Sequence, residues 1–349
     1  MTPVRNFFGD QLVVVTGGAG FIGSNIAIEL AAAGERVVVC DLLRSGDKWR
    51  NIGAARLHDI VRPNDLLEWL NRHGGQVGAL VHMAAITSTT EKDVDKFVAT
   101  NIRLTLDLWN WCAANSVRLI YASSAATYGD GTAGFSDEQS PASLAMLHPL
   151  NAYGWSKHLV DRRVVDDVAR GQATPPQWVG LKFFNVYGPN ETHKGIMQSL
   201  VSKIFPAVKA GETVSLFKSY RPGYPDGGQQ RDFIYVKDCV AVVSWFLKHP
   251  ETSGLFNVGN GTPRSFLDLV GAVCAVVGAT PNIRFIDMPD ELRPQYQYFT
   301  CADIAKLRRV GFDHSFYSLE DGVRDYFRQL SCDIDKDVQS SRVGRLTRC

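Results

Sequence analysis

Leu12-Val13-Val14-Val15-Thr16-Gly17-Gly18-Ala19-Gly20-Phe21-Ile22-Gly23 is the stretch that decides the fold. Four apolar residues, three of them β-branched, suit a strand buried on both faces. Gly17, Gly20 and Gly23 then allow a tight turn, close backbone approach to a pyrophosphate, and packing of a helix against the strand. Helical character runs from Asn25 to Ala33, Gly34 stops it, and a second apolar run, Val37-Val38-Val39-Cys40, completes a βαβ unit. The N-terminus of such a helix offers free N–H groups and a positive dipole end to an anion. Glycines alone often mark nothing more than a loop. Between a strand and a helix they point to a dinucleotide.

The same alternation continues outward from this unit. Ala79 to Met83 reads as a strand, Phe97 to Asn115 as a helix, Arg118 to Ala122 as a strand, Tyr153 to Ala169 as a helix and Trp178 to Phe184 as a strand. The expected fold class is α/β, a doubly wound parallel sheet of the Rossmann type with a smaller C-terminal substrate-binding lobe. Residues 1–184 form the expected dinucleotide-binding domain, with later returns of the chain at about 232–260. Residues 185–331 form most of the lobe: a helix over Ser199 to Ala210, a strand over Val214 to Phe217, a Gly- and Pro-rich loop over Ser219 to Gln230, and a strand over Asp232 to Val236. Residues 332–349 read as a polar, basic, frayed tail.

Composition narrows the function classes. The 349 residues are 45% hydrophobic and 21% charged with a net charge of +1, so no basic footprint for nucleic acid is present. Seven cysteines, none in a C-x-x-C pair, suit a reducing compartment. No apolar run reaches membrane-spanning length, and residues 1–10 lack a signal-peptide core. A cytoplasmic protein with no membrane partner is expected. No residues are assigned to a metal.

Tyr153-Gly154-Trp155-Ser156-Lys157 places a tyrosine and a lysine four apart on one helix face. An ammonium beside a phenol favours the phenolate and lowers its pKa toward a range useful for acid–base work. Ser124, at the end of the preceding strand, can bond the same substrate oxygen. Asp41 ends the second strand, where an acid would bond the adenosine ribose and favour NAD. Arg44 and Lys48 follow closely and offset it by offering cations to a 2′-phosphate; the plain alternative is two solvated loop charges. Asp59-Ile60 can face the adenine, or Asp59 can simply cap the next turn.

With the glycine turn, Ser124 and the Tyr153/Lys157 pair in this order, the chain resembles the extended short-chain dehydrogenases/reductases from Leu12 to about Leu330. Within them it is similar to the ADP-L-glycero-D-manno-heptose 6-epimerase family. That similarity rests on Ala122-Ser123-Ser124-Ala125-Ala126-Thr127-Tyr128-Gly129, Phe184-Asn185-Val186-Tyr187-Gly188-Pro189 with His193-Lys194-Gly195, Thr87-Ser88-Thr89-Thr90-Glu91, and Gln295-Tyr296-Gln297 before Phe299-Thr300. The resemblance implies a lipopolysaccharide-precursor enzyme with NADP, NAD being the alternative, and a homo-oligomer such as a pentamer. By carry-over, Gly17, Gly20, Phe21, Ile22, Gly23, Asp41, Lys48, Asp59, Ile60, Ala84, Ala85, Thr87, Asn101, Tyr153, Lys157 and Val186 would hold the cofactor. Ser88, Thr89, Asn185, Lys194, Phe217, Lys218, Ser219, Arg231 and Tyr296 would meet the ADP-heptose substrate.

The implied chemistry accounts for a second base. The C6 hydrogen is not acidic, so inversion proceeds through transient oxidation to a ketone and hydride return to the opposite face. The two epimers present the oxygen differently, and Tyr153 would serve one and Lys194 the other. The alternative for Lys194 is a loop cation paired with the substrate diphosphate or with Glu191. Arg231 suits bidentate contact with a diphosphate, whereas Phe217 and Tyr296 serve equally as core aromatics. The chain departs from the family at Asp41-Leu42, where an Asp-Asn pair is usual, at Ile196, where a serine can stand, and in the longer loop from Arg221 to Gln230. A 4,6-dehydratase is disfavoured because Ala125-Ala126 stand where elimination needs an Asp-Glu pair. A UDP-hexose 4-epimerase shares the general motifs but not His193-Lys194-Gly195, and a non-catalytic sensor has no need of Ser124, Tyr153 and Lys157 together.

Overall fold

Every residue of β1 (Leu12–Thr16) is buried, as its unbroken apolar run requires. Leu12 and Val14 belong to one core cluster and Val13 and Val15 to another, so the strand is covered on both faces. The computed structural model describes residues 7–89 and 91–330; the expected frayed tail and Thr90 lie outside the described residues. The main sheet adds β2 (Arg36–Cys40), β3 (Asp59–Val61), β4 (Val77–His82), β5 (Arg118–Ser124) and β6 (Trp178–Phe183). A seventh strand, Gly254–Val258, joins the outer side of β6.

The order across the sheet is Gly254–Val258, β6, β5, β4, β1, β2, β3, and all pairs are parallel. The chain moves outward from β1 to β3 and then returns to β4 on the other side of β1. That reversal opens a crevice at the carboxyl ends of β1 and β4, where ligands bind in sheets of this kind. Helix α1 (Phe21–Ala32) starts four residues before the expected Asn25, because Gly20, in extended conformation, caps it directly from the glycine turn. The long helix after β4 is present, but Val98–Arg103 within it is a π-turn that carries Asn101.

The rest of the chain builds a third core cluster. Asn185–Tyr187 pairs with Phe233–Tyr235, Val214–Phe217 with Ile283–Ile286, and Gln230–Arg231 with Arg264–Ser265. The expected strand near Asp232 therefore exists but pairs outside the main sheet, and Gly254–Val258 is the segment that returns to it. Helices Leu200–Lys209 and Phe266–Val277 and helical turns over 319–330 cover these pairs. Among the described residues no helix is long and apolar enough to cross a membrane.

Candidate active site

The turn after β1 is tight enough that a Cβ would meet backbone at Gly17, Gly18 and Gly23. Gly17 has φ +66°, and a Cβ there would lie 2.7 Å from the Ala84 nitrogen. A Cβ on Gly23 would lie 2.2 Å from the Gly17 carbonyl oxygen. This draws α1 against the turn and sets the segment after β4 beside it. No side chain caps the N-terminus of α1, and its first turn holds no acid. Free helix N–H groups, a positive dipole end and backbone that can be closely approached form a cradle for a pyrophosphate. The residues present fit a dinucleotide.

Asp41, just beyond β2, already holds three partners. Its Oδ2 accepts the Ala19 N–H at 2.9 Å, while Oδ1 accepts the Leu42 N–H at 2.7 Å and pairs with Lys48 Nζ at 2.5 Å. Asp59 accepts from its neighbour Ile60 N–H and from the Trp69 indole, which fits the capping alternative, while Ile60 is half exposed.

Tyr153 and Lys157 share one face of helix Ala152–Ala169, which Asn151 caps by accepting the Gly154 N–H. Lys157 is buried and donates to the Ala122 carbonyl at 2.7 Å. Burial pushes its pKa down to about 8, with Asp161 opposing the shift. Ser124 stands beside the Tyr153 phenol, and its Oγ accepts the Ala126 N–H at 3.1 Å. The expected lowering of the phenol is reversed in the protein alone: burial raises the Tyr153 pKa, and the neighbouring Ser124 hydroxyl offsets only part of it. The physical reason is desolvation, which disfavours the phenolate just as it disfavours the ammonium beside it.

Lys194 lies in the 3-10 turns Thr192–Met197, with its ammonium 5.2 Å over the Phe21 ring. It therefore stands beside the start of α1. Burial lowers its pKa and Glu191 partly restores it. The two are not in contact as an ion pair, because the Glu191 carboxylate accepts from the Gly188 N–H, the Ser199 N–H and the Ser199 hydroxyl. Asn51 ties this loop to the glycine turn, donating to the Ala19 and Asn190 carbonyls at 2.9 and 3.2 Å.

Arg231 is buried and has no carboxylate partner among the described residues; its one hydrogen bond goes to the Gln230 carbonyl at 2.9 Å. Its guanidinium lies 4.9 Å over Tyr296 and 5.6 Å over Phe266, and Phe217 meets Tyr296 edge-on. A buried, uncompensated cation walled by aromatic rings invites an anion.

A match to the NAD dependent epimerase/dehydratase family covers residues 13–259. The ADP-L-glycero-D-manno-heptose-6-epimerase of Fusobacterium nucleatum is 43% identical, over 90% of this chain and 96% of the relative. That of Nitratidesulfovibrio vulgaris is 45% identical, over 93% and 99%. The crystal structure of the Helicobacter pylori ADP-L-glycero-D-manno-heptose-6-epimerase superposes with a TM-score of 0.75 at 27% identity, covering 95% of this chain and 99% of that one. The chain belongs to the NAD dependent epimerase/dehydratase family, among its ADP-L-glycero-D-manno-heptose-6-epimerases.

In this epimerase the structure gathers Ser124, Tyr153 and Lys157 at the end of β5, and Gly17, Gly20, Phe21 and Gly23 at the end of β1. Ile22 and Val186 are half-buried against the cores beside them. Ala84 and Ala85 are half-buried, Thr87 and Thr89 are exposed, and Ser88 lies between them. Asn101 departs from expectation. It is fully buried, and its amide exchanges two bonds with the Ile86 backbone and donates to Ser156, so it holds the segment after β4 rather than presenting a free amide. Lys218 departs too: its ammonium pairs with Asp287 at the surface, 3.1 Å away, the two residues standing just beyond the ends of the paired strands Val214–Phe217 and Ile283–Ile286. Ser219 bonds within its own loop to the Arg221 carbonyl and Asp226, whereas Asn185 is exposed, with its Oδ1 accepting from the Thr300 hydroxyl at 3.5 Å.

Sequence reasoning missed Asn51 and a buried pair, Asp161 on helix Ala152–Ala169 and Lys182 on β6. Asn51 carries no sequence signal, since its three partners, the Ala19 and Asn190 carbonyls and the His193 ring, belong to distant segments. Asp161 does: it stands four residues beyond Lys157, on the same helical stripe.

Proposed function

We propose that this epimerase inverts C6 of ADP-D-glycero-D-manno-heptose to give ADP-L-glycero-D-manno-heptose, a step of lipopolysaccharide core precursor synthesis. The observation that carries this is the length of the match to relatives named for that activity. At 90–93% of the chain it extends well beyond the nucleotide-binding half into the segments that select a substrate. We divide the labour as residues 1–184, with the return through about 260, for the cofactor and residues 185–331 for the sugar nucleotide.

Bound nicotinamide supplies the reversible hydride step. Tyr153 takes the proton from the C6 hydroxyl of one epimer and returns it, with Ser124 holding the oxygen and Lys157 favouring the phenolate. Lys194, whose burial lowers its pKa toward that of a usable base, does the same for the other epimer. Arg231 grips the diphosphate, with Phe217 and Tyr296 as walls. The occupied Asp41 supports NADP over NAD. Three of its acceptor sites are taken by Lys48 and two backbone N–H groups, Lys48 offsets its charge, and Arg44 stands near in sequence as a further cation for a 2′-phosphate. A cytoplasmic homo-oligomer, in the manner of the pentamer the resemblance implied, completes the reading.

The test follows C6 inversion by NMR with the purified protein and ADP-D-glycero-D-manno-heptose. Inversion that disappears in Tyr153→Phe is expected. No inversion, together with turnover of a UDP-hexose, overturns the assignment. Mass analysis of the cofactor released on denaturation decides the 2′-phosphate.

A further inference from the structure

Beneath the reacting groups lies a buried ion pair that the proposed chemistry does not use. Asp161 and Lys182 are both fully buried, 2.9 Å apart, one on the catalytic helix and one on β6. Such a pair is weak evidence for stability, because desolvating two charges consumes most of their attraction. Its place in the hydrogen-bond network points to a different role. Asp161 Oδ2 also accepts from the Ser123 hydroxyl at 2.7 Å, and Oδ1 accepts from the Tyr121 hydroxyl at 3.1 Å. Lys182 donates to Thr127 Oγ1 at 2.8 Å, and the Thr127 hydroxyl donates to the Ser124 carbonyl at 2.9 Å. Lys157, one turn before Asp161, grips the same strand at the Ala122 carbonyl.

Three consecutive residues at the end of β5 are therefore fastened from below. Ala122 is held by Lys157, Ser123 by Asp161, and Ser124 by Lys182 acting through Thr127. We propose that the Asp161–Lys182 pair is a positioning element of the reaction: it sets the register between the Ser124 end of β5 and the helix that carries Tyr153 and Lys157. This rests on the proposed acid–base role of those three residues. Neither Asp161 nor Lys182 touches substrate; each acts through β5 and, by charge, on Lys157.

The charge effect has a definite sign. Asp161 supports the Lys157 ammonium against burial. The other titratable groups facing this centre are His158 on the same helix, Tyr121 on β5, Lys182 on β6 and Tyr128 beyond Thr127, with His82 on β4 facing Lys157, Lys306 facing Lys182, Asp137 and Asp303 facing Tyr128, and Arg162 and His148 on the far side of His158. Removing the carboxylate leaves Lys182 as an unbalanced cation, and both changes disfavour a protonated Lys157.

The test compares Asp161→Asn, Thr127→Val and the charge-balanced double variant Asp161→Asn/Lys182→Met with the wild type. Epimerisation of ADP-D-glycero-D-manno-heptose is followed across pH, after folding and bound cofactor have been matched by circular dichroism and released-cofactor assay. Asp161→Asn is expected to lower kcat roughly ten- to a hundred-fold, since a small misplacement of reacting groups carries such a cost, with KM little changed. The alkaline limb of its kcat profile is expected to move to lower pH, and the double variant to recover part of both effects. Thr127→Val, which keeps both charges, is expected to lower kcat without moving the limb; it keeps the proposal open to test if Asp161→Asn does not fold. Wild-type kcat in Thr127→Val together with an unmoved pH limb in Asp161→Asn, or in the double variant should the single one not fold, overturns the proposal. Failure of the wild type to turn over the substrate overturns the functional reading instead, so the two are told apart.

Discussion

Gly23→Ala and Gly271→Ala make the same chemical change in two helices, and the structure gives them opposite signs. At Gly23 the added methyl would sit 2.2 Å from the Gly17 oxygen, 2.8 Å from the Gly17 carbonyl carbon and 3.1 Å from the Gly18 Cα. Relief needs a separation of roughly an ångström, and the atoms to be moved are backbone. The Gly17 carbonyl also accepts the Gly20 N–H that closes the turn, so α1 and the turn must part together. Overpacking of this kind costs about 1–3 kcal/mol. Gly271, inside helix Phe266–Val277, has nothing within 4 Å of its would-be Cβ, so alanine there adds about 1 kcal/mol of helix propensity. At about 2.1 cal/mol/K of unfolding entropy per residue, the 349-residue chain shifts its Tm by roughly 1–2 °C per kcal/mol. The two variants should therefore melt roughly 3–6 °C apart without ligand, Gly23→Ala being the lower. Displacing the helix N–H groups should also weaken cofactor binding at least tenfold, since one charge-assisted bond is worth about 1.5–3 kcal/mol. Thermal melts and titration with NADP, read by fluorescence, measure both. Equal melting and equal affinity in the two variants would refute the claim that the Gly17–Gly23 contact shapes the cofactor cradle.

Arg231→Met should leave the thermal stability unchanged or raise it, because it removes a buried cation with no carboxylate partner among the described residues. Calorimetric titration with ADP should show weaker binding at the same time, and a large loss of stability with normal ADP affinity would contradict that role. Lys194→Met should depress kcat with cofactor still bound. A rise in KM alone would show instead that Lys194 holds the diphosphate. His82 is fully buried between Thr16 and Thr105, and burial pushes its pKa down to about 3. The unfolded chain then binds the extra proton first, so stability is complete above about pH 6.5 and falls as pH drops toward 3. Denaturant melts of His82→Gln should show a shallower loss across that window than the wild type.

Much of this was legible in the chain alone, for reasons that can be stated residue by residue. The run Leu12 to Val15 has no polar face, so a strand covered on both sides was its only economical place. Tyr153 and Lys157 are four apart, and helix geometry alone puts them together. Asn101 was expected to meet the cofactor, yet its amide closes on Ile86, fifteen residues away in sequence, through a π-turn that no local pattern announced. Lys218 looked like a pocket cation, yet it pairs with Asp287 because the strands that end at Phe217 and Ile286 lie side by side. The Gln230–Arg231 segment gave no hint of its pairing with Arg264–Ser265, because register between short strands is set by their neighbours.

Local spacing and residue chemistry thus determined the doubly wound sheet, the glycine cradle and the presence of Ser124, Tyr153 and Lys157. They act over distances that a single turn or strand spans. The tertiary structure decided what burial does to those groups: it raises the Tyr153 phenol, lowers Lys157 to about 8, and leaves Arg231 without a counter-charge among the described residues. It also decided that Asp161 and Lys182 meet beneath the site. Desolvation and long-range pairing depend on which segments pack around a side chain, and that is settled only when the sheet has closed over it.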